Sequence, residues 1–194
     1  MLSSALISGS TYNDLPAHED QVLPEQGVID SLGALFIKHG VHQTYGLALL
    51  HKHFDMKADE VMVHDGLRCA PAVLTKEGSL IGRNFYLHDG VFQAYEYEQG
   101  PNQDVLDIAF LSALKRRLIE GGIHRTLALT KIDIGVPPSE ERLGSGRSHV
   151  CAPAVAVIAE EATEWRFDAV NGSCFTIVSK TCLATGYNQH KWED

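Results

Sequence analysis

The sequence predicts an α+β fold in which N-terminal helices pack on a mainly antiparallel sheet of hairpins, with one central helix at about 104–120. Helices are indicated where apolar residues recur at three- and four-residue steps, at 25–39 and again before Gly121. Hairpins are indicated where β-rich runs flank Asp89-Gly90 and Asn171-Gly172, because such dipeptides favour tight turns. Regular alternation of strand and helix is absent, so a doubly wound parallel sheet is not predicted.

Length and composition predict a single globular domain. The chain has 194 residues, of which 44% are apolar and 21% charged, as expected for a protein that folds around its own core. Residues 1–24 are polar and interrupted by Pro16 and Pro24, so we expect them to form a partly ordered N-terminal arm. Residues 25–194 are then a single α+β domain.

Charge and cysteine usage exclude several classes of protein. The net charge of −9 argues against binding to nucleic acid or to an anionic membrane, because phosphate groups need a basic patch. The N-terminal residues lack the features of a secretory signal, and no run approaches the roughly 18 apolar residues of a membrane-spanning helix. The four cysteines show no C-x-x-C spacing. We therefore expect a soluble, cytoplasmic protein with reduced thiols.

The elements of the N-terminal half are predicted from changes in apolar period. Residues 25–39 form a helix whose C-cap is Gly40, and residues 42–54 form a second helix. From Glu60 onward apolar residues alternate with period two, which indicates a strand that ends at Asp65-Gly66. A short apolar run follows at 71–75.

The C-terminal half is predicted as strands around the central helix. Asn102 or Asp104 caps that helix, and Gly121-Gly122 ends it. Residues 135–148 are predicted as one long irregular loop, either a lid or only a connection, and residues 181–194 as an irregular tail. The strands are predicted, in chain order, at 80–87, 91–98, 125–134, 150–158, 165–170 and 173–179.

The stretch Tyr45–Gly66 carries three of the ten histidines, His51, His53 and His64, which are candidate ligands of one divalent transition metal. Two histidines at i and i+2 point the same way in a strand. On a helix they lie about 200° apart and cannot share one ion. The prediction is therefore conditional: a helix at 45–54 rules out a His-x-His metal site, and at most one of the two histidines could then join a site.

The same stretch, taken as a strand, resembles the first motif of the cupin superfamily, which runs Gly, His-x-His, Glu, Gly. The matching residues are Gly46, His51, His53, Glu60 and Gly66. The intervals differ from those of the family, and no second motif of Pro-x-Gly, His and Asn follows. The resemblance implies a cupin-like metal site. The alternative is that both histidines are structural and hydrogen-bonded in the core.

The tripeptide His-Asp-Gly occurs twice, beginning at His64 and at His88. One interpretation is that both are turns, since Asp-Gly supplies the bend. The other places both histidines on one rim of a sheet, where they join His149 or Glu96 as metal ligands or as an acid/base pair.

Two further patterns lie near the long loop. His149 and Cys151 share one face of a strand, which suits a base–thiol pair or two metal ligands, although Cys151 also suits a small buried apolar position. Arg142 and Arg147 flank Leu-Gly-Ser-Gly, where backbone N–H groups and two guanidinium groups could hold an anion. The alternative for these glycines and serines is loop flexibility.

Two classes of function remain. The first is a small intracellular enzyme that acts on a small organic molecule, with His149, Cys151 and His88 as candidate catalytic residues or with one bound divalent metal. The second is a non-catalytic ligand- or protein-binding module with structural histidines. The expected partners are a small-molecule ligand and, because hairpins leave sheet edges open, a second copy in a homodimer.

Overall fold

The structure, a computed structural model, describes residues 1–73, 79–101, 105–133, 135–144, 147–154, 161–170 and 173–182. The fold is α+β: ten strands of these residues close into a mixed β-barrel, and a few helices accompany it. Over the same residues, we find no helix with the length and apolar character needed to cross a membrane.

Three helices and eleven strands follow one another along the described chain. The helices are α1 (Gly9–Asn13), α2 (Gln26–Lys38) and α3 (Ile108–Glu120), with a short 3-10 helix at His18–Asp20. The strands are β1 (Leu2–Ser3), β2 (Tyr45–Leu49), β3 (Glu60–Asp65), β4 (Arg68–Val73), β5 (Leu80–His88), β6 (Val91–Gln99), β7 (Leu127–Lys131), β8 (Ser139–Leu143), β9 (His149–Pro153), β10 (Ala162–Val170) and β11 (Ser173–Cys182).

The barrel closes in the order β6-β3-β4-β9-β8-β11-β10-β2-β7-β5, and β5 pairs back with β6. The pairs β3–β6 and β8–β11 are parallel and the remaining eight are antiparallel, which confirms a mainly antiparallel sheet. β1 lies parallel to the start of β6. Closure itself was not predicted, because it depends on pairing between strands that are distant in sequence.

Both predicted hairpins are present. In the β5–β6 turn, Asp89 has φ of 47° and Gly90 has φ of 78°, the left-handed pair that a type I′ turn requires. β10 and β11 pair from Val170 with Ser173 onward, although Asn171 and Gly172 themselves lie outside the described residues.

The two long helices pack together against the barrel. The Phe36 ring of α2 lies 5.0 Å from the rings of Phe110 in α3 and Phe167 in β10, all three buried in one apolar cluster. α2 ends at Lys38 with His39 as its C-cap, one residue before the predicted Gly40; Gly40 follows with φ of 68°, and the Val41 N–H donates to the Phe36 carbonyl. The predicted caps of α3, Asn102 and Asp104, lie outside the described residues, and the observed cap is Asp107.

Two sequence-based elements are wrong. Residues 45–49 form strand β2 instead of a helix; all five are buried between β7 and β10, so no alternation was visible. The predicted loop 135–148 contains strand β8, which pairs with β9 and β11. Its sequence, SEERL, is polar and therefore suggested a loop. A strand is nevertheless possible there because the two glutamates are buried against other charged groups. The predicted irregular tail, 181–194, is wrong at its first two residues, which continue strand β11, and residues 183–194 lie outside the described residues.

The N-terminal residues contribute to a second apolar cluster. Tyr12 of α1 is fully buried there with Met62 of β3, Cys69 of β4 and Tyr95 of β6. The Tyr97 hydroxyl accepts from the Ile7 N–H at 3.0 Å, which ties this segment to β6.

Gly33→Ala is expected to destabilise the protein by about 1–3 kcal/mol, because overpacking displaces well-packed neighbours. A Cβ at Gly33 would overlap the Phe167 ring and lie 2.9 Å from Cys174 Sγ. Gly27→Ala, at an exposed position of the same helix with no atom within 4 Å of the added Cβ, is the control. It should stabilise by up to about 1 kcal/mol through helix propensity. Urea unfolding measures the free energy of unfolding of both variants. Equal changes in the two would contradict the close packing of Phe167 and Cys174 against Gly33.

Candidate metal centre

The barrel encloses ionisable side chains together with apolar ones. Burying such groups is unfavourable unless they are paired, so a concentration of them marks a candidate functional site. The buried histidines, glutamates and cysteines around the site are His51, His53, His64, Cys69, Glu96, Glu141, His149, Cys151, Glu164 and Cys182.

Sheet register brings several of these residues together. His149 of β9 lies opposite Cys69 of β4, and Cys151 lies opposite Glu141 of β8. Glu141 is also in register with Cys182 of β11 on its other side. Because alternate residues share a face of a strand, His149 and Cys151 point the same way as predicted. Glu141 therefore lies between two cysteine-bearing strands.

His51 and His53 follow β2 in an irregular segment and do meet. Their ring centroids are 4.6 Å apart, and the His53 ring lies 4.1 Å from that of His149. The helix that would have separated them is absent from these positions, so the conditional exclusion of a shared site does not apply.

Three groups of residues could each hold a metal ion. Within each group the ligand atoms all lie within 4.8 Å of one another. The groups are His51, His53 and Cys182; His53, Glu141 and His149; and His64, Cys69 and Glu96. All members are buried, and the first two groups share His53.

His149 is buried with unused hydrogen-bonding capacity. It is 1% exposed, and within the described part of the chain neither ring nitrogen makes a hydrogen bond. Its Nε2 lies 3.7 Å from Glu141 Oε1. Burial lowers the pKa of His149 to about 4, so the imidazole is neutral at pH 7. A neutral, buried imidazole is the form in which histidine binds a metal.

His51 has the tautomer that suits a ligand. Its Nδ1 lies 2.8 Å from the Leu49 carbonyl oxygen, which can only accept, so Nδ1 carries the proton and Nε2 the lone pair. Nε2 is buried and has no hydrogen-bond partner among the described residues. Burial, aided by His53, lowers the pKa of His51 to about 4. Metal-binding histidines are commonly oriented by a backbone carbonyl in this way.

His64 and Glu96 form a buried pair, which is one of the combinations that the rim interpretation of the sequence left open, although His88, the other histidine of that interpretation, is not part of it. His64 Nε2 lies 2.8 Å from Glu96 Oε2, and the Asn84 amide donates to the same oxygen at 2.6 Å. Thr130 Oγ1 in turn donates to Asn84 Oδ1 at 2.6 Å. Burial alone would raise the pKa of Glu96, but the hydrogen bond from His64 and the fields of His64, His149 and His53 together outweigh it, and the pKa is lowered.

Glu141 is a buried carboxylate whose basic neighbours are two histidines and a lysine. Burial opposes its ionisation, but the fields of His149, His53 and Lys180 lower the pKa of Glu141. Burial keeps His149 neutral at pH 7, and Lys180 is already paired with Glu164 at 2.8 Å. Among the described residues, the basic side chains that approach the Glu141 carboxylate are His53, at 3.9 Å, and His149, at 3.7 Å. A divalent cation bound there would offset the negative charge of Glu141.

Three of the predicted site residues lie apart from this cluster. The His88 side chain is 53% exposed and packs against Tyr86. The guanidinium groups of Arg142 and Arg147 bind Glu140 and Glu60, respectively. Glu60, the glutamate of the cupin-like pattern, therefore bonds with Arg147 and belongs to none of the three ligand groups.

Cys151 is close to the cluster but is not activated. Burial, with Glu141 beside it, raises its pKa to about 12, so it is a thiol at neutral pH.

Sequence reasoning missed Glu141, Cys69 and Cys182 as candidate ligands. The one local signal was the i, i+2 spacing of Ser139 and Glu141, which a strand assignment would have placed on one face.

Comparison of the chain with protein-family models, with curated proteins and with solved structures finds no match. The function is therefore argued from the geometry of the cluster.

Proposed function

We propose that this protein is an enzyme that acts on a small organic molecule with one divalent transition-metal ion held by His53, Glu141 and His149. The observation that supports it is a buried set of two imidazoles and one carboxylate whose ligand atoms lie within 4.8 Å of one another. One member, His149, is buried and makes no hydrogen bond among the described residues. This donor set suits zinc, iron(II) or manganese(II).

The number of ligands favours catalysis over a purely structural ion. Structural zinc sites are closed by four protein ligands, whereas catalytic sites use three and leave a position for water or substrate. A metal ion there would polarise an oxygen atom of the substrate or lower the pKa of a bound water.

His64 is the proposed proton-transfer residue. Its ring lies 6.0 Å from that of His149, and Glu96 fixes its orientation through the 2.8 Å contact. It also lines a cavity of about 30 Å³, to which Arg83 and Lys180 contribute as well. That volume fits about one water molecule, so His64 can exchange a proton between solvent and the centre.

A groove outside the cluster favours the alternative, a non-catalytic ligand-binding module. It has a volume of about 580 Å³ and is lined in part by Asp14, Tyr86, His88 and Arg125. Small-ligand pockets span roughly 300–1,000 Å³. Ligand binding there would persist after the metal is removed, which separates the two functions.

Elemental analysis of protein prepared without a histidine tag and loaded with Zn²⁺, Mn²⁺ or Fe²⁺ tests the proposed centre. We expect about one ion per chain, and at least a tenfold loss of affinity in Glu141→Gln and in His149→Ala, because each removes a ligand. His88→Ala is the matched control and should bind as the unchanged protein does. Failure to bind any of the three ions, or binding that is independent of Glu141, would contradict the proposal.

A further inference from the structure

A second set of donors overlaps the proposed centre. His51, His53 and Cys182 are buried, and their ligand atoms lie within 4.8 Å of one another. Compared with the set of His53, Glu141 and His149, this one keeps His53 but has a thiol in place of the carboxylate. The two sets therefore differ in chemical softness.

Two independent observations indicate that the second set is built to bind. The His51 Nε2 lone pair is buried and without a hydrogen bond among the described residues, while the Leu49 carbonyl fixes the opposite nitrogen. Cys182 is 2% exposed and lies in register with Glu141 on the neighbouring strand. The thiol and the carboxylate thus approach His53 from adjacent strands, β11 and β8.

The two sets cannot both be complete at once. A neutral imidazole has one nitrogen lone pair, so His53 can serve one ion at a time. Its ring is 4.6 Å from that of His51 and 4.1 Å from that of His149, so it can belong to either set. Thiolate ligands select soft ions, whereas carboxylates suit manganese and other harder ions.

We propose that the barrel holds one ion in either of two overlapping positions: a thiophilic ion at His51, His53 and Cys182, and a harder ion at His53, Glu141 and His149. This rests on the proposed function, since the second position is the proposed catalytic one. A thiophilic ion withdraws His53 from that position and so keeps the enzyme inactive. The identity of the metal thereby regulates the site.

Competitive binding of Mn²⁺ and Cd²⁺ to the full chain tests the inference. Free Mn²⁺ is followed by electron paramagnetic resonance, and Cd²⁺ by its thiolate-to-metal absorption in the ultraviolet. Cd²⁺ should displace Mn²⁺ one for one. Cys182→Ser should weaken Cd²⁺ binding at least tenfold, abolish the thiolate absorption and leave Mn²⁺ affinity within about threefold. Glu141→Gln should weaken Mn²⁺ binding at least tenfold, leave Cd²⁺ affinity within about threefold and keep the thiolate absorption.

Controls keep the outcomes distinguishable. Cys174→Ser changes a cysteine beside α2 that belongs to none of the three ligand groups, and it should alter neither ion. Cys182→Ala replaces Cys182→Ser if the latter does not fold. Cd²⁺ affinity that is independent of Cys182, or simultaneous binding of both ions, overturns this inference and leaves the proposed function standing. Cd²⁺ binding through Cys182 without any binding through Glu141 overturns the proposed function and the exchange with it.

Discussion

Acidification from pH 7 to pH 4 is expected to remove about 6 kcal/mol of the free energy of unfolding from the metal-free protein. Burial lowers the pKa of His51 and of His149 to about 4, against 6.5 for an ordinary histidine. Between these values the unfolded chain binds protons that the folded protein does not. Stability is therefore highest above pH 6.5 and falls as the pH drops toward 4, by about 3 kcal/mol for each histidine.

This loss is comparable to the whole stability of a typical domain, roughly 5–15 kcal/mol, so the metal-free protein should be partly or fully unfolded near pH 4. Urea unfolding at half-unit steps between pH 7 and pH 4.5 measures the slope. His149→Gln removes one of the two titrating groups, and its slope should be about half as steep. Equal slopes in the two proteins would show that His149 is not held neutral by burial.

The elements that were predicted correctly are those set by local chemistry. Asp89 and Gly90 lie at positive φ in the turn, and the glycine after α2 has φ of 68°, so these residue types mark the turn and the helix end directly. Closure of the barrel has no such signal. It depends on the parallel pairs β3–β6 and β8–β11, which join segments that are far apart in the sequence.

The two misassigned segments failed for opposite reasons. β2 is buried on both faces, and a continuous apolar run such as YGLAL does not distinguish a strand from a helix. β8 has the sequence SEERL, which is typical of a loop, yet Glu140 and Glu141 are buried. Glu140 is paired with Arg142 of the same strand, whereas the groups that favour ionised Glu141 include His149 and Lys180 of the neighbouring strands.

The site was predictable in its histidines and not in their partners. His51, His53, His64 and His149 were candidates from spacing alone, and the structure brings them together. His88 stands in the same tripeptide as His64 but is half exposed, because the tripeptide sets the turn while strand register sets the face. Glu141 and Cys182 meet the histidines through the β8–β11 pairing, which the sequence does not reveal.

Lys180→Met is expected to destabilise the metal-free protein by about 3–5 kcal/mol, because breaking a buried ion pair leaves an uncompensated charge. Lys180 Nζ lies 2.8 Å from Glu164 Oε2, with the two side chains 11% and 8% exposed. Ser179 Oγ donates to the other carboxylate oxygen at 2.8 Å, which holds Glu164 in place. The substitution also removes a positive charge whose field lowers the pKa of Glu141.

Lys131→Met is the matched control. Lys131 also forms an ion pair, with Glu98 at 2.6 Å, but its side chain is 26% exposed and Glu98 keeps Arg83 at 2.7 Å. Its loss should therefore be no more than about 1 kcal/mol. Equal losses in the two variants would contradict the importance of burial at Lys180.

The double variant Lys180→Met/Glu164→Leu separates the loss of the ion pair with Glu164 from the loss of the positive charge that acts on Glu141. Replacing both members of a buried pair by apolar side chains of similar volume is often nearly neutral, so the double variant should recover most of the lost stability. Recovery should remain incomplete without metal, because Glu141 still lacks the field of Lys180. Loading with Mn²⁺ should remove that remainder, since the ion then carries the positive charge beside Glu141. Urea unfolding with and without Mn²⁺ measures this effect. If the ion does not change the unrecovered part of the free energy of unfolding, the metal binds elsewhere.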